Sequence, residues 1–142
     1  MVSEQTPTST GQWEKSHRNG RAGELVVGAR LVELGFHLYW PVNDRPSIDV
    51  ITVWKDSVVN RVQIKTKNLP RDTHLSQEVR VGGTDAKKYD FLIAYLVTQT
   101  AFYVLPASQV KAKTNILFYP NGKTTKIEND HESYRDAWHL LK

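Results

Sequence analysis

The spacing of apolar residues changes several times along the chain, and each spacing predicts a different element. Between about residues 19 and 34, apolar side chains recur every three or four positions, at Ala22, Leu25, Val26, Ala29 and Val32. This spacing is typical of a single buried stripe on an amphipathic helix. Gly35 follows at the position of a helix C-cap, so we expect the helix to end there.

Strand-like patterns follow the predicted helix. A short aromatic segment covers residues 37–42, and residues 48–54 form a nearly continuous apolar, β-branched run that is typical of a central strand covered on both faces. Residues 58–67 alternate between polar and apolar side chains. Because the turn-forming residues 55–57 separate these last two segments, we expect them to pair as a hairpin.

The second half of the chain predicts further short elements. We expect a long loop over residues 68–84 with a possible strand at 78–81, then a helical turn at 84–88 and strands at 91–97 and 102–105. Residues 116–119 and 123–127 should form a hairpin around the Asn-Gly turn 121–122. A final helix is expected over 131–141, capped at 129 or 130. The resulting order, αβββαβ, predicts an α+β (α/β) fold with a mixed sheet flanked by helices.

Composition limits the classes of protein that the chain fits. At 142 residues it suits one domain, and its polar start predicts a flexible N-terminal arm over 1–15 before a single domain over 16–142. No apolar run approaches the roughly 20 residues that a membrane span needs, so we expect a protein without a membrane anchor. The chain has no cysteine, which excludes disulfides and thiolate metal sites and suits the cytoplasm.

Polar residues collect on the predicted hairpin. Side chains of alternate residues share one face of a strand, so Arg61, Gln63, Lys65 and Lys67 form a polar row. Taken alone, this row is better explained by an ordinary half-solvated strand. Asp49, however, opens an otherwise apolar strand, where an unpaired carboxylate is costly to bury. It is either a turn cap or the partner of the polar row.

Two further carboxylates are candidates for the same site. Glu24 lies beside the apolar stripe of the predicted helix, where it is either an ordinary solvated residue or a second oxygen ligand of the kind that Mg²⁺ prefers. Asp44 is a rival to Asp49, although its neighbours Asn43 and Pro46 favour a surface turn.

Together these residues resemble the PD-(D/E)XK nuclease superfamily, and most closely the branch that contains group I intron-encoded homing endonucleases. The resemblance rests on Gly23-Glu24, Leu31, Gly35-Phe36, Pro41, Ile48-Asp49-Val50-Ile51 and Val62-Gln63-Ile64-Lys65-Thr66. It covers residues 18–67 well and weakens beyond them. Each motif alone has low specificity, and their joint order carries the resemblance, which implies a restriction-endonuclease-like core.

The resemblance also implies roles for individual residues. Asp49 matches the metal-binding aspartate, Lys65 the motif lysine and Glu24 the glutamate of the first helix. Gln63 departs from the usual acid, as the intron-encoded branch also does. A glutamine oxygen can bind Mg²⁺ but adds no charge, so we expect weaker metal binding than three acids give, with the carbonyl of Ile64 as a further ligand and Mn²⁺ able to substitute.

Basic residues point to double-stranded DNA as the partner. The formal charge is +4, and seven basic residues against three acidic ones lie between residues 61 and 88. We expect contacts to the DNA backbone from Arg18, Arg21, Lys67, Arg71, Arg80, Lys87 and Lys88. Arg18 and Arg21 are equally well explained as solvated side chains. Candidates for contact with base edges are Asn68, Arg71, Gln77 and Arg80.

The predicted function is therefore a Mg²⁺-dependent endonuclease that hydrolyses phosphodiester bonds of duplex DNA, of the homing type. One small site cuts one strand, so a double-strand break requires a homo-oligomer, a dimer or a tetramer. Restriction or repair nucleases and Holliday junction resolvases use the same chemistry and stay open. So do a non-catalytic DNA-binding module on the same fold and a protein-interaction domain.

Overall fold

A computed structural model gives the fold and describes residues 9–43, 47–68, 77–82, 85–120 and 131–142. The described helix and strands are α1 (Ser9–Glu33), β1 (His37–Tyr39), β2 (Val50–Trp54), β3 (Val58–Lys67), β4 (Gln77–Arg80), β5 (Phe91–Leu96), β6 (Ala101–Pro106) and β7 (Asn115–Phe118). Three short 3₁₀ helices cover Ala107–Gln109, Glu132–Tyr134 and Trp138–Leu141. No helix in these ranges has the length and apolar character needed to cross a membrane.

The main sheet has five strands in the order β1-β2-β3-β5-β6. β2 and β3 form the predicted antiparallel hairpin, in which Val50 lies opposite Val62. β3 then pairs in parallel with β5, so the sheet is mixed and β3 is its central strand. The α+β class and the mixed sheet are thereby confirmed.

Two apolar clusters hold the layers together. One lies between α1 and the sheet and includes Val27, Leu31, Val62 and Ile64. The other lies on the opposite side of β5 and β6, where a separate two-stranded sheet of β4 and β7 covers it. β5 contributes Ile93 and Tyr95 to the first cluster and Leu92, Ala94 and Leu96 to the second, so this strand is covered on both faces.

Helix α1 differs from its prediction in two ways. It begins at Ser9 rather than near residue 19, and so includes residues 9–15 of the predicted arm, while residues 1–8 lie outside the described part of the chain. The stripe expected to be buried is also exposed: the exposed fractions of Leu25, Val26 and Val32 are 54%, 41% and 59%. The packed side instead carries Gly23, Val27 and Leu31.

The reason for this reversal is that a helix packs closely where its side chains are small. Hydropathy gives little weight to glycine, yet Gly23 and Gly28 are buried against the sheet and its neighbouring loop. The end of the helix was predicted correctly, since Gly35 follows it with a positive φ of 97° that favours glycine.

Three other predicted elements change in the second half of the chain. The helical turn at 84–88, the second helix of the αβββαβ order, is a simple turn in which the Lys88 N–H donates to the Asp85 carbonyl. The final helix is split into two 3₁₀ helices, because Asp136 takes a positive φ of 50° that an α-helix does not allow. β7 pairs with β4, a pairing that the sequence did not predict, while its predicted partner strand at 123–127 lies outside the described residues. The Asn121-Gly122 turn lies outside the described residues.

Candidate active site

The β2–β3 hairpin places Asp49 beside the polar row. Asp49 directly precedes β2, and its N–H donates to the Val62 carbonyl at 2.9 Å, which fixes it against β3. Because Val50 is opposite Val62, β3 continues past the start of β2 by five residues, Gln63 to Lys67. This extension presents the backbone and side chains of β3 to the space in front of Asp49.

Asp49 and Gln63 contact each other directly. One carboxylate oxygen of Asp49, Oδ2, accepts a hydrogen bond from the Gln63 Nε2 at 2.8 Å and another from the Ile64 N–H at 2.7 Å. The same Nε2 donates to the Ile64 carbonyl at 3.3 Å. The Gln63 Oε1 is buried, and no group in the described part of the chain donates a hydrogen bond to it. The Gln63 Nε2 therefore donates to both the Asp49 carboxylate and the Ile64 carbonyl, while the Gln63 Oε1 accepts no hydrogen bond from the described residues. Leaving a buried acceptor unpaired is costly.

This arrangement fits a hard divalent cation. Rotation of the Gln63 amide exchanges its nitrogen and oxygen, which have nearly the same shape. The Asp49 carboxylate, the Gln63 Oε1 and the Ile64 carbonyl would then be three oxygen ligands around one position. Mg²⁺ accepts such ligands and completes its shell with water. The described residues contain no cluster of three acidic or histidine side chains, so a site here depends on the amide and the backbone oxygen.

The pKa of Asp49 reflects its burial. Desolvation raises the pKa of the carboxyl from its ordinary value of 3.8 to about 6, although the hydrogen bond from the Ile64 N–H opposes this rise. The Glu24 carboxylate raises the pKa further by repulsion, and the positive charges of Lys65 and Arg21 lower it. All three charges are therefore close enough to act on Asp49. Burial is thus the main reason that the charged carboxylate is disfavoured, and a bound cation would stabilise it.

Glu24 reaches the site from α1. Its side chain is 23% exposed and forms an ion pair with Arg21, with 2.8 Å between the Arg21 Nη1 and the Glu24 Oε2. The Arg21 guanidinium also lies 5.3 Å from the centre of the Trp40 ring. Arg21, with a side chain that is 60% exposed, therefore orients Glu24 and still faces solvent. Sequence reasoning missed the part played by Trp40, because its contact with Arg21 joins distant parts of the chain.

A groove of about 830 Å³ joins these groups. Ser16, His17 and Gly20 of α1 line one wall, and Pro41 and Val42 of the following loop line another. Its remaining wall includes Glu24, Asp49, Gln63, Ile64, Lys65 and Thr66. The five residues that sequence analysis assigned to catalysis or metal binding, Glu24, Asp49, Gln63, Ile64 and Lys65, thus line one cleft that is open to a large substrate.

Close packing of α1 on β3 depends on Gly23. A Cβ atom built at Gly23 would lie 1.8 Å from the Thr66 Oγ1 and 2.7 Å from the Thr66 Cβ, much closer than atoms can approach. From the sequence, Gly23 was identified only as part of the Gly23-Glu24 motif. Its role is to bring the helix that carries Glu24 against the strand that carries Gln63 and Lys65.

The predicted DNA-contact residues lie in several places. Arg18 is exposed on α1 near the groove, and Lys87 and Lys88 are exposed in the turn after β4. Lys67 and Arg80 line a second depression, between the end of β3 and the β4–β7 pair. Gln77 is buried, so the expectation that it contacts base edges is wrong. Arg71 and the rival acid Asp44 lie outside the described residues.

The site and fold can be compared with known proteins. Protein 5.3 of Escherichia phage T7 is 28% identical over 115 residues, which cover 78% of this chain and 97% of that protein. A solved structure of a bacterial homing endonuclease, I-Ssp6803I, matches with a TM-score of 0.71 at 21% identity, covering 96% of this chain and 92% of its own. This likeness confirms the restriction-endonuclease-like fold. A family model described as PD-(D/E)XK endonuclease matches residues 14–141, nearly the whole chain, which therefore belongs to the PD-(D/E)XK endonuclease family.

Proposed function

We propose that this nuclease is a Mg²⁺-dependent endonuclease that hydrolyses phosphodiester bonds of duplex DNA, with the target specificity of a homing enzyme. The observation that carries the proposal is the contact of Asp49 with Gln63 and Ile64, next to the unsatisfied Gln63 Oε1. A buried acceptor without a partner at the wall of an open groove is a position that a bound cation would satisfy.

Each residue of the groove has a part in this chemistry. Asp49, the amide oxygen of Gln63 and the Ile64 carbonyl hold the cation, and Glu24 contributes directly or through a water molecule. A bound Mg²⁺ supplies a more acidic water and withdraws charge from the phosphate, and Mn²⁺ can take its place. Lys65 holds the scissile phosphate and offsets the negative charge that develops on it in the transition state.

The substrate is held by charge outside the catalytic groove. Arg18, Lys87 and Lys88 are exposed and extend the positive surface away from the groove, which suits contacts with the DNA backbone. The absence of cysteine suits the reducing cytoplasm, where we place the reaction.

Cleavage of both strands requires a second copy of the chain. Leu25, Val26 and Val32 expose a large apolar area on the outer side of α1, away from the sheet. Exposed apolar side chains that lie together mark contact surfaces. We therefore place the contact between copies on this side of the helix, where it leaves the groove on the packed side open to DNA.

A plasmid-nicking assay tests the function. Supercoiled plasmid should be converted to open-circular and linear DNA with Mg²⁺ or Mn²⁺, and should stay intact with EDTA. DNA binding without cleavage under any metal would instead support the second candidate, a non-catalytic binding module, which the loss of one acid at Gln63 favours. Branched and randomised duplex substrates separate a homing or restriction enzyme from a junction resolvase.

Gln63→Glu should tighten Mg²⁺ binding by about tenfold and keep cleavage activity, because it adds a charged ligand. Without metal it should lower stability at neutral pH, since a second carboxylate replaces the amide that donates to Asp49 at 2.8 Å. Calorimetric titration with Mg²⁺ and thermal melting measure both effects. Gln109→Glu, the same change in the first 3₁₀ helix, is the control. Weaker Mg²⁺ binding in a folded Gln63→Glu protein would contradict a ligand role for residue 63.

Stability without metal should depend on pH through Asp49. Its folded-state pKa is raised from 3.8 to about 6, so between these values the folded chain binds more protons than the unfolded chain. The Asp49 contribution to the unfolding free energy therefore falls as pH rises through this window and is constant above it. Relative to Asp49→Asn, the wild type in EDTA should lose on the order of 1–2 kcal/mol from pH 4 to pH 7. Urea unfolding at several pH values measures this difference, and a difference that does not change with pH would refute the assignment.

A further inference from the structure

The β4–β7 pair forms a ribbon with two unlike faces. Along both strands buried and exposed residues alternate, so Val79, Ile116 and Phe118 pack into the second apolar cluster. The outer face carries Glu78 and Arg80 of β4 and Asn115 and Leu117 of β7. Arg80 lies directly opposite Asn115, and Glu78 lies opposite Leu117. Four side chains of different chemistry thus stand in two adjacent rows.

The polar side chains of this face have no partner among the residues that the structure describes. Among the described residues, Arg21, Arg30, Arg61 and Arg135 each form an ion pair with a carboxylate. Arg80 forms none, although Glu78 is two residues away on the same face. The side chains of Asn115 and Lys67 also make no hydrogen bond among the described residues. Their donors and acceptors are therefore available to a ligand.

These residues surround a depression next to the catalytic strand. Its volume is about 480 Å³, and its walls are formed by Lys67, Glu78, Arg80, Thr114 and Asn115. Lys67 is the last residue of β3 and lies on the same face of that strand as Lys65, two residues before it. One continuous strand therefore connects the catalytic groove with the outer face of the ribbon.

We propose that the outer face of the β4–β7 ribbon reads base edges in the major groove of the DNA, an inference that rests on the DNA endonuclease function proposed above. A two-stranded ribbon fits the major groove, which is about 12 Å wide. Arg80 is suited to guanine, Asn115 to adenine and Glu78 to the amino group of cytosine, while Leu117 can contact the methyl group of thymine.

The presence of Glu78 favours base edges over phosphates. A surface that only binds phosphate gains nothing from a carboxylate, because like charges repel. Side chains two residues apart on a strand are separated by about 7 Å, which corresponds to about two base-pair steps. The Arg80–Asn115 and Glu78–Leu117 rows therefore match positions about two base pairs apart in a target site.

Arg80→Ala tests this proposal through the target preference of the enzyme. A randomised duplex library is cleaved, and the ends are sequenced for the wild type, Arg80→Ala, Asn115→Ala and Lys113→Ala. Arg80→Ala should reduce the preference for one base position about ten- to a hundredfold and leave the other positions unchanged. Asn115→Ala should act on a neighbouring position. Lys113→Ala removes a charge from the exposed turn before β7 and should lower cleavage at all sites equally.

The same libraries are also selected by binding in Ca²⁺, which separates this proposal from the nuclease function. A wild type that cuts DNA while Arg80→Ala keeps every base preference would overturn the ribbon proposal alone. If the wild type binds selectively without cutting, and Arg80→Ala loses one preference, the ribbon proposal stands and the nuclease function fails. A wild type that neither cuts nor binds DNA overturns both. Melting temperatures confirm that each variant is folded.

Discussion

Replacement of Asp49 by asparagine should lower the rate of plasmid cleavage by about a hundred- to a thousandfold or more, the range expected when one charge-stabilising group leaves an active site. Asparagine has the same shape and keeps an oxygen that can accept the hydrogen bond from the Ile64 N–H, which Asp49 accepts at 2.7 Å. What it removes is the negative charge that holds a divalent cation. Cleavage of a supercoiled plasmid, followed over time at saturating Mg²⁺, measures the effect.

The same variant should be as stable as the wild type at neutral pH, or more stable. Burial raises the pKa of Asp49 to about 6, which means that the charged carboxylate destabilises the metal-free fold. Loss of activity without loss of stability therefore separates a functional role from a structural one. Asp56→Asn is the matched control, since Asp56 is exposed in the turn at the other end of β2, with a φ of 61° that asparagine tolerates. Full activity of Asp49→Asn would remove the basis of the proposed site.

The site was predictable because its main residues lie on a local hairpin. Alternation along residues 58–67 fixes which side chains share a face, and the short turn at 55–57 fixes the pairing with β2. Asp49 and Gln63 were thereby placed together by short-range rules alone. The hydrogen bond from Gln63 to Asp49 was not predicted and is seen only in the structure.

The packed side of α1 was not predictable from hydropathy. Leu25 and Val32 are more apolar than the glycines on the opposite side, so counting apolar residues chose the wrong face. Close approach to β3 selects for the absence of a side chain, which a hydropathy pattern does not register. The orientation of Glu24 by Arg21 and Trp40 depends on this packing and could not be deduced without it.

Pairing between distant segments also escaped prediction. β7 pairs with β4, more than thirty residues earlier in the chain, and no local signal such as a turn indicates this pairing. β3 and β5 pair in parallel across the intervening loop and ribbon. Alternation shows that a segment is a strand, but it carries no information about which strand is its neighbour. The sequence therefore did not predict that Glu78, Arg80 and Asn115 share one face of a ribbon.

Gly23→Ala should reduce the unfolding free energy by about 1–3 kcal/mol, the usual range for overpacking, even though alanine favours helices. The new methyl group would collide with the Thr66 Oγ1 and Cγ2, and Thr66 is β-branched and cannot turn away freely. Relief requires α1 to move away from β3, which separates Glu24 from Asp49. Cleavage should therefore fall as well, and urea unfolding and plasmid cleavage measure the two losses.

Gly20→Ala is the matched control, because a Cβ atom at Gly20 meets nothing within 4 Å. There the helix propensity of alanine should raise stability by about 0.5–1 kcal/mol. Thr66→Ala should partly rescue Gly23→Ala, since it removes the Oγ1 and Cγ2 contacts and leaves the Cβ contact at 2.7 Å. A double-mutant cycle measures this coupling. Equal stability of the Gly23 and Gly20 variants would show that α1 does not pack on β3 at Thr66, and the position of Glu24 in the site would then lose its support.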